Sequence, residues 1–263
     1  MNKTKNKKMN TYLKYGLILI CSGILGAFIG GFSVLAENTM ISIEQIINSA
    51  IIALQKMSIP ILITLLIAEV LSGEIAVAKM KAVGKQMQAA EDDENDRLEY
   101  VMEKIAAVGN IILILISILS LILISFEYSI AFISSEGSNG KILVDVILFM
   151  AIFIYYGYWG IRFVKIQQKI DPKKQGDPAS FKFNEQWLES CDEAEKELVY
   201  QSAYKTYTLL SRAIPLTMFI AMFMHLIWNT GITAIILLAI LWALQTISYL
   251  RNCMKKMGQK LTR

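Results

Sequence analysis

Three ionisable residues sit inside stretches apolar enough to cross a membrane: Glu69, Asp145 and His225. A charged group at the centre of a span costs about 2.5–3.5 kcal/mol, so such a residue must face other helices or water. Glu69 lies well inside its stretch and has two readings. One is a relay for protons or cations; the plainer one is a neutral, hydrogen-bonded packing acid. Asp145 follows Lys141 by four residues, which makes an i, i+4 ion pair at the outer edge of a span. Glu74 sits near the inner edge, where it can snorkel to water.

A catalytic centre needs more than one such residue. His225 is the only histidine, and His225 with Asn229 gives an HxxxN spacing found in one motif of the CAAX-type intramembrane proteases. That motif set also requires paired glutamates followed by arginine and a further histidine, and neither occurs. Cys191 has no histidine near it in sequence to act as its base, and no GxSxG, HExxH or Walker A pattern is present. The chain is therefore expected not to be an enzyme or, by itself, an ATP-driven pump. The acids Glu91 to Asp96 could attract a divalent cation, since carboxylates are hard ligands. They lack the alternating ligands and turn glycine of an EF-hand, and read as a solvated turn capping a helix that starts near Arg97. Cys21, Cys191 and Cys253 form no CxxC or Cys/His cluster. Neither a metal nor a cofactor is expected, and the thiols are read as reduced.

The elements that hold these residues are membrane helices. Of 263 residues, 55% are hydrophobic and 18% charged, mean hydropathy is +0.47, and the charges fall in blocks. A formal net charge of +4 is too small for direct nucleic-acid binding. Runs near the ~20 residues that a hydrocarbon core demands occur at about 13–35, 58–78, 105–126, 142–164, 214–228 and 232–250. The first begins after a basic tail, as a signal peptide would, but is too long for one and is read as retained. Within it, Gly26 and Gly30 have GxxxG spacing. That suits either a homo-oligomer seam or close packing inside the chain. Residues 41–57 carry Glu44, Asn48 and Gln55 at helical spacing. They suit an amphipathic helix on the outer surface or an outward extension of the next span. Pro60 falls in the first turn of that span, where a missing N–H costs little. The aromatics Tyr155, Tyr156, Tyr158 and Trp159, close to Arg162, read as an interfacial belt.

Six spans in three hairpins leave polar arms at 79–104 and 165–213. With both termini in the cytosol, every Lys and Arg except Lys56 and Lys141 lies on the cytosolic side, as the positive-inside rule requires. The fold class expected is thus an all-α, multi-pass protein of the cell membrane, N-in and C-in, with the lipid bilayer as its first partner.

The second arm has the densest pattern. Trp187, Cys191, Ala194, Leu198, Ala203 and Tyr207 trace a roughly helical stripe, with Glu189, Glu193, Lys196 and Glu197 on the other side. The stripe is expected to pack against residues 97–103; a partner-binding face is the alternative. Ser190 and Glu193 have capping-box spacing, so a helix restarts there or the match is coincidental. The run from Trp187 through Asp192, Glu193, Ala194, Glu195 and Lys196, with Tyr200, Ala203 and Tyr204 beyond, resembles the signature of a family of uncharacterised six-helix membrane proteins. These come from Gram-positive bacteria, the Firmicutes, and contain a domain of unknown function. The resemblance supplies no activity and no catalytic or binding residues, and it implies a signalling or stress-response context.

The expected function is that of a non-enzymatic accessory or regulatory protein. Its cytosolic arm, through Trp187, Cys191, Asp192, Glu193, Glu195, Lys196 and Leu198, would bind a cytosolic or membrane protein partner. A small secondary transporter using Glu69 is the alternative, and hydrolysis at His225 the third reading.

Overall fold

The computed structural model describes residues 16, 17, 20, 23, 24, 37–89, 91–127 and 138–261. Of the span expected at 13–35, only residues 16, 17, 20, 23 and 24 fall among these, and they are helical. Cys21, Gly26 and Gly30 lie outside the described residues. The described residues form an all-α fold of six helices with no strand. These are α1 (Glu37–Met87), α2 (Asp92–Ser125), α3 (Ser138–Ile170), α4 (Phe183–Ser190), α5 (Glu193–Trp228) and α6 (Thr233–Leu261). All but α4 are long and apolar enough to cross a membrane.

The helices outrun the apolar stretches that nucleate them. α1 has 51 residues and takes in 41–57, 58–78 and 79–87 without a break. Pro60 therefore stands well inside a helix rather than in its first turn. It removes one backbone donor, and the Thr64 hydroxyl bonds the Pro60 carbonyl at 2.8 Å. α2 begins at Asp92, five residues before the expected Arg97, because Asp92 to Asp96 join its first turns. Acids are favoured there by the partial positive charge of unpaired N–H groups. The arm at 79–104 is thus mostly helix, with a short connection between Met87 and Asp92.

The chain divides into two compact units, Glu44–Lys196 and Met1–Ile43 with Glu197–Arg263. In the first, α1, α2 and α3 bury three successive apolar layers. Leu62, Ile116, Leu123 and Ile152 form one, Ala76, Val77, Leu113 and Trp159 the next, and Met80, Val83, Met102 and Ala106 the third. Residue numbers rise along α1 and α3 and fall along α2, so α2 runs antiparallel to both. Trp159 is the centre of this packing. Its indole N–H donates to the Gly73 carbonyl at 3.1 Å. A Cβ on Gly109 would stand 3.1 Å from Ala76 Cβ and 3.2 Å from Trp159 Cζ2, so only hydrogen fits there without a shift. Trp159 is 2% exposed, which removes it from the expected interfacial belt. Tyr158 remains exposed, with the Arg162 guanidinium 5.2 Å from its ring centre.

In the second unit, α5 and α6 form a hairpin. Asn229 (φ 49°) and Gly231 (φ 84°) turn the chain through left-handed conformations, which Asn and Gly tolerate best. Gln245 Nε2 donates to the Tyr207 carbonyl at 3.2 Å, and the Tyr207 and Tyr249 rings stack at 4.1 Å. Apolar side chains such as Leu216, Ile220, Leu237 and Leu241 are exposed along both helices. Such continuous apolar surface suits lipid rather than water.

Candidate functional site

The bundle of α1, α2 and α3 carries polar side chains at three levels, with buried carboxylates at two of them and an exposed one at the third. At one end, α3 supplies Lys141 and Asp145, α1 supplies Ser58 and Gln55, and Glu127 follows α2. Lys141 Nζ donates to Glu127 and to Asp145, the latter at 2.9 Å. The Ser58 hydroxyl donates to Asp145 at 3.0 Å, and Gln55 Nε2 donates to the Phe126 carbonyl at 2.7 Å. The Glu127 and Asp145 side chains are 2% and 1% exposed, against 25% for Lys141. The i, i+4 pair is therefore present, and Glu127 extends it to a largely buried triad. One oxygen of each carboxylate, Glu127 Oε2 and Asp145 Oδ1, has no hydrogen-bond partner among the described residues.

Eleven residues along α1 from Ser58, about 16 Å at the helical rise, Glu69 lies wholly buried. Oε1 accepts from the Ser117 hydroxyl at 3.5 Å, and Oε2 has no hydrogen-bond partner among the described residues. Ser120, also buried, donates to the Ser117 carbonyl at 2.8 Å. Leu62, Ile116, Leu123 and Ile152 pack in the interval between Glu69 and the triad. Beyond Glu69 in the other direction, Glu74 accepts from both Arg162 guanidinium nitrogens, at 3.0 Å for Nη2, and from the Tyr155 hydroxyl at 3.1 Å. Glu69 and Asp145 thus occupy separate levels of one bundle.

His225 belongs to the α5–α6 hairpin. Its Nδ1 accepts from the Gly231 N–H at 3.1 Å, and its carbonyl accepts from the Asn229 N–H at 2.9 Å. The HxxxN spacing is spent on closing that turn.

The arm is built around a break. α4 ends at Ser190 and α5 begins at Glu193, with Cys191 extended (φ −74°, ψ 149°) between them. The restart is capped by Asp192 and Glu195, not by Ser190 and Glu193. Asp192 Oδ1 accepts from the Glu195 N–H at 2.8 Å, and Glu195 Oε2 accepts from the Asp192 N–H at 3.0 Å. This is a reciprocal capping box, with Asp in place of Ser or Thr. The Ser190 hydroxyl instead donates back to the Trp187 carbonyl at 2.7 Å. Lys174 pairs with Glu195, and its Nζ lies 3.7 Å from Cys191 Sγ. Burial works against the charge on Lys174, but the Glu195 carboxylate outweighs it and holds the ammonium above the ordinary lysine range. Burial pushes the Cys191 thiol up, against the opposing pull of Lys174.

The break also ends the expected stripe, since a continuous helix is needed to keep one face aligned. Cys191 is buried, and the Trp187 and Phe183 rings meet at a tilt of 43° with centres 5.5 Å apart. Leu198, on the new helix, is 64% exposed. Glu193 is solvated, 3.8 Å from Lys196. Carboxylate oxygens of Glu99, Glu103 and Glu195 come within 4.8 Å of one another, so the arm meets α2 within the expected segment 97–103. Glu195 is already engaged by Lys174 and the cap.

Sequence reasoning missed Ser58, Glu127, Ser117 and Lys174. Glu127 carried one legible signal, an acid immediately after the least interrupted apolar run. The hydroxyls and Lys174 carried none, because their partners are more than a dozen residues away.

No curated protein and no solved structure matches the chain. The family model described as "Protein of unknown function (DUF3169)" matches residues 7–253. Its match covers the bundle, the capped arm and the hairpin alike, and the chain belongs to this family.

Proposed function

We propose that the chain is a non-enzymatic accessory or regulatory protein of a Gram-positive cell membrane, with both termini in the cytosol and the arm displayed there to a protein partner. One observation carries this reading. α5 has 36 residues, about 54 Å, whereas about 20 suffice to cross hydrocarbon. The first turns of α5 therefore stand clear of the core, and there Leu198 and Tyr204 are 64% and 63% exposed. The Asp192–Glu195 box and Lys174 hold that helix start in place. The partner-binding residues are then Leu198 and its neighbours, while Cys191, Asp192 and Glu195 position them. A photocrosslinker at position 198 in intact cells is expected to yield one discrete heterologous adduct, abolished by Tyr204→Ala. Lipid adducts alone, or the same adduct from position 193, would defeat the reading.

A small secondary transporter is the second reading, supported by the unpartnered Oε2 of buried Glu69. Loss of a proton-coupled uptake on Glu69→Gln, with expression intact, would move the assignment there.

A further inference from the structure

From Leu198 to Arg263 the chain carries lysines and arginines but not one Asp or Glu. Much of that positive charge gathers where α6 leaves its apolar stretch. Ser248, Arg251, Asn252 and Lys255 are spaced i, i+3, i+4 and i+7, one face of a helix. All four are exposed, and together they line an open recess of about 560 Å³. No carboxylate among the described residues forms an ion pair with Arg251 or Lys255. The depth follows from geometry. α6 begins at Thr233, and about 20 residues of helix cross the hydrocarbon. The strip at 248–255 therefore straddles the headgroup layer. Tyr249, stacked on Tyr207, supplies the amphipathic aromatic ring common at that depth.

We infer that this face of α6 is a binding site for the phosphate headgroup of an anionic phospholipid. Arg251 offers a guanidinium fork for two phosphate oxygens and Lys255 a second cation one turn on. Ser248 and the Asn252 amide donate to the remaining oxygens or to a glycerol hydroxyl. A zwitterionic headgroup would bring its own ammonium against Arg251 and Lys255, which is repulsive. A basic face at the end of a span selects for net negative lipid. The acyl chains of the same lipid would lie along the exposed Leu241, Leu244 and Ile247 below the strip.

The test uses the full-length protein purified in a neutral detergent. Native mass spectrometry would count bound dioleoylphosphatidylglycerol and dioleoylphosphatidylcholine added at equal concentration. The wild-type protein is expected to retain the anionic lipid preferentially, by roughly fivefold for each cation that contributes. R251Q/K255Q should bring the ratio close to one, and R251K/K255R should restore most of it. K81Q/K85Q, which removes charge from α1, should leave the ratio unchanged. A matched elution profile and thermal midpoint for R251Q/K255Q would show that the fold survives. If that variant does not fold, each single substitution should lower the ratio by part of the same amount. A wild-type ratio near one, or an unchanged ratio in R251Q/K255Q, would overturn the site. Displacement of the lipid by millimolar inorganic phosphate would also overturn it, by showing a free-anion site instead.

Discussion

Lys141 is the residue on which the charge balance at one end of the bundle depends. It is the ammonium between two almost wholly buried carboxylates, Glu127 and Asp145. Removing one partner of a buried ion network leaves uncompensated charge, at a cost of about 3–5 kcal/mol, whereas replacing the whole network with neutral groups is often harmless. Lys141→Met is therefore expected to lower the thermal midpoint in detergent sharply. Adding Glu127→Gln and Asp145→Asn to it should recover most of the loss. A triple variant no better than Lys141→Met would show that the triad has a role beyond charge balance.

At the other end, Cys191 is a thiol buried under Lys174, with its pKa raised from 9.0 by burial. In a chain whose other cysteines are changed to serine, Cys191 should react slowly with a maleimide at pH 7.5. The rate should still be climbing when pH passes 9.0, the ordinary thiol value. Glu195→Gln weakens the capping box and removes a nearby anion, so it should speed labelling several-fold. Fast labelling of the unmodified arm would mean that Cys191 is open to solvent.

Among the elements, α1, α2 and α3 owe their register to Trp159 more than to their many Leu and Ile residues. Branched aliphatic side chains pack in several registers, while an indole seated against Gly73 and Gly109 fits only one. Trp159→Ala should cost about 3–5 kcal/mol, the usual range for emptying an aromatic core site. Gly109→Leu should be comparably damaging, because its Cβ alone would crowd Ala76 and Trp159. Both effects can be read from thermal unfolding monitored by helix content. Tolerance of Gly109→Leu would mean that α2 can slide, and that the register is set elsewhere. The arm shows the complementary case, in which local chemistry ends an element. Asp192 and Glu195 satisfy each other's backbone donors, so the chain starts a new helix there instead of continuing α4. The Asp-Glu-Ala-Glu-Lys motif is accordingly a structural device before it is a contact surface.

At the level of the whole molecule, orientation remains a proposal with a direct test. Reporter fusions after Gln88 and after Gln175 should read cytosolic, and a fusion after Ser138 extracellular; a cytosolic signal at Ser138 would reverse the topology. Much of the architecture was legible beforehand. The apolar stretches at 58–78, 105–126, 142–164, 214–228 and 232–250 fall within helices to within one residue at either end, because an unbroken apolar run of that length has few other ways to satisfy its backbone in lipid. The Lys141–Asp145 pair was legible for a similar reason, since i, i+4 contacts are set by helical pitch alone. The helix lengths were not, because polar turns that are solvated either way extend a helix at little cost. Nor was it legible that Trp159 faces inward, that Ser58 and Glu127 complete the triad, or that Lys174 meets Glu195. Each of those contacts joins segments far apart in the chain. Local periodicity reports which residues share a face, and only packing of one helix against another decides what that face meets.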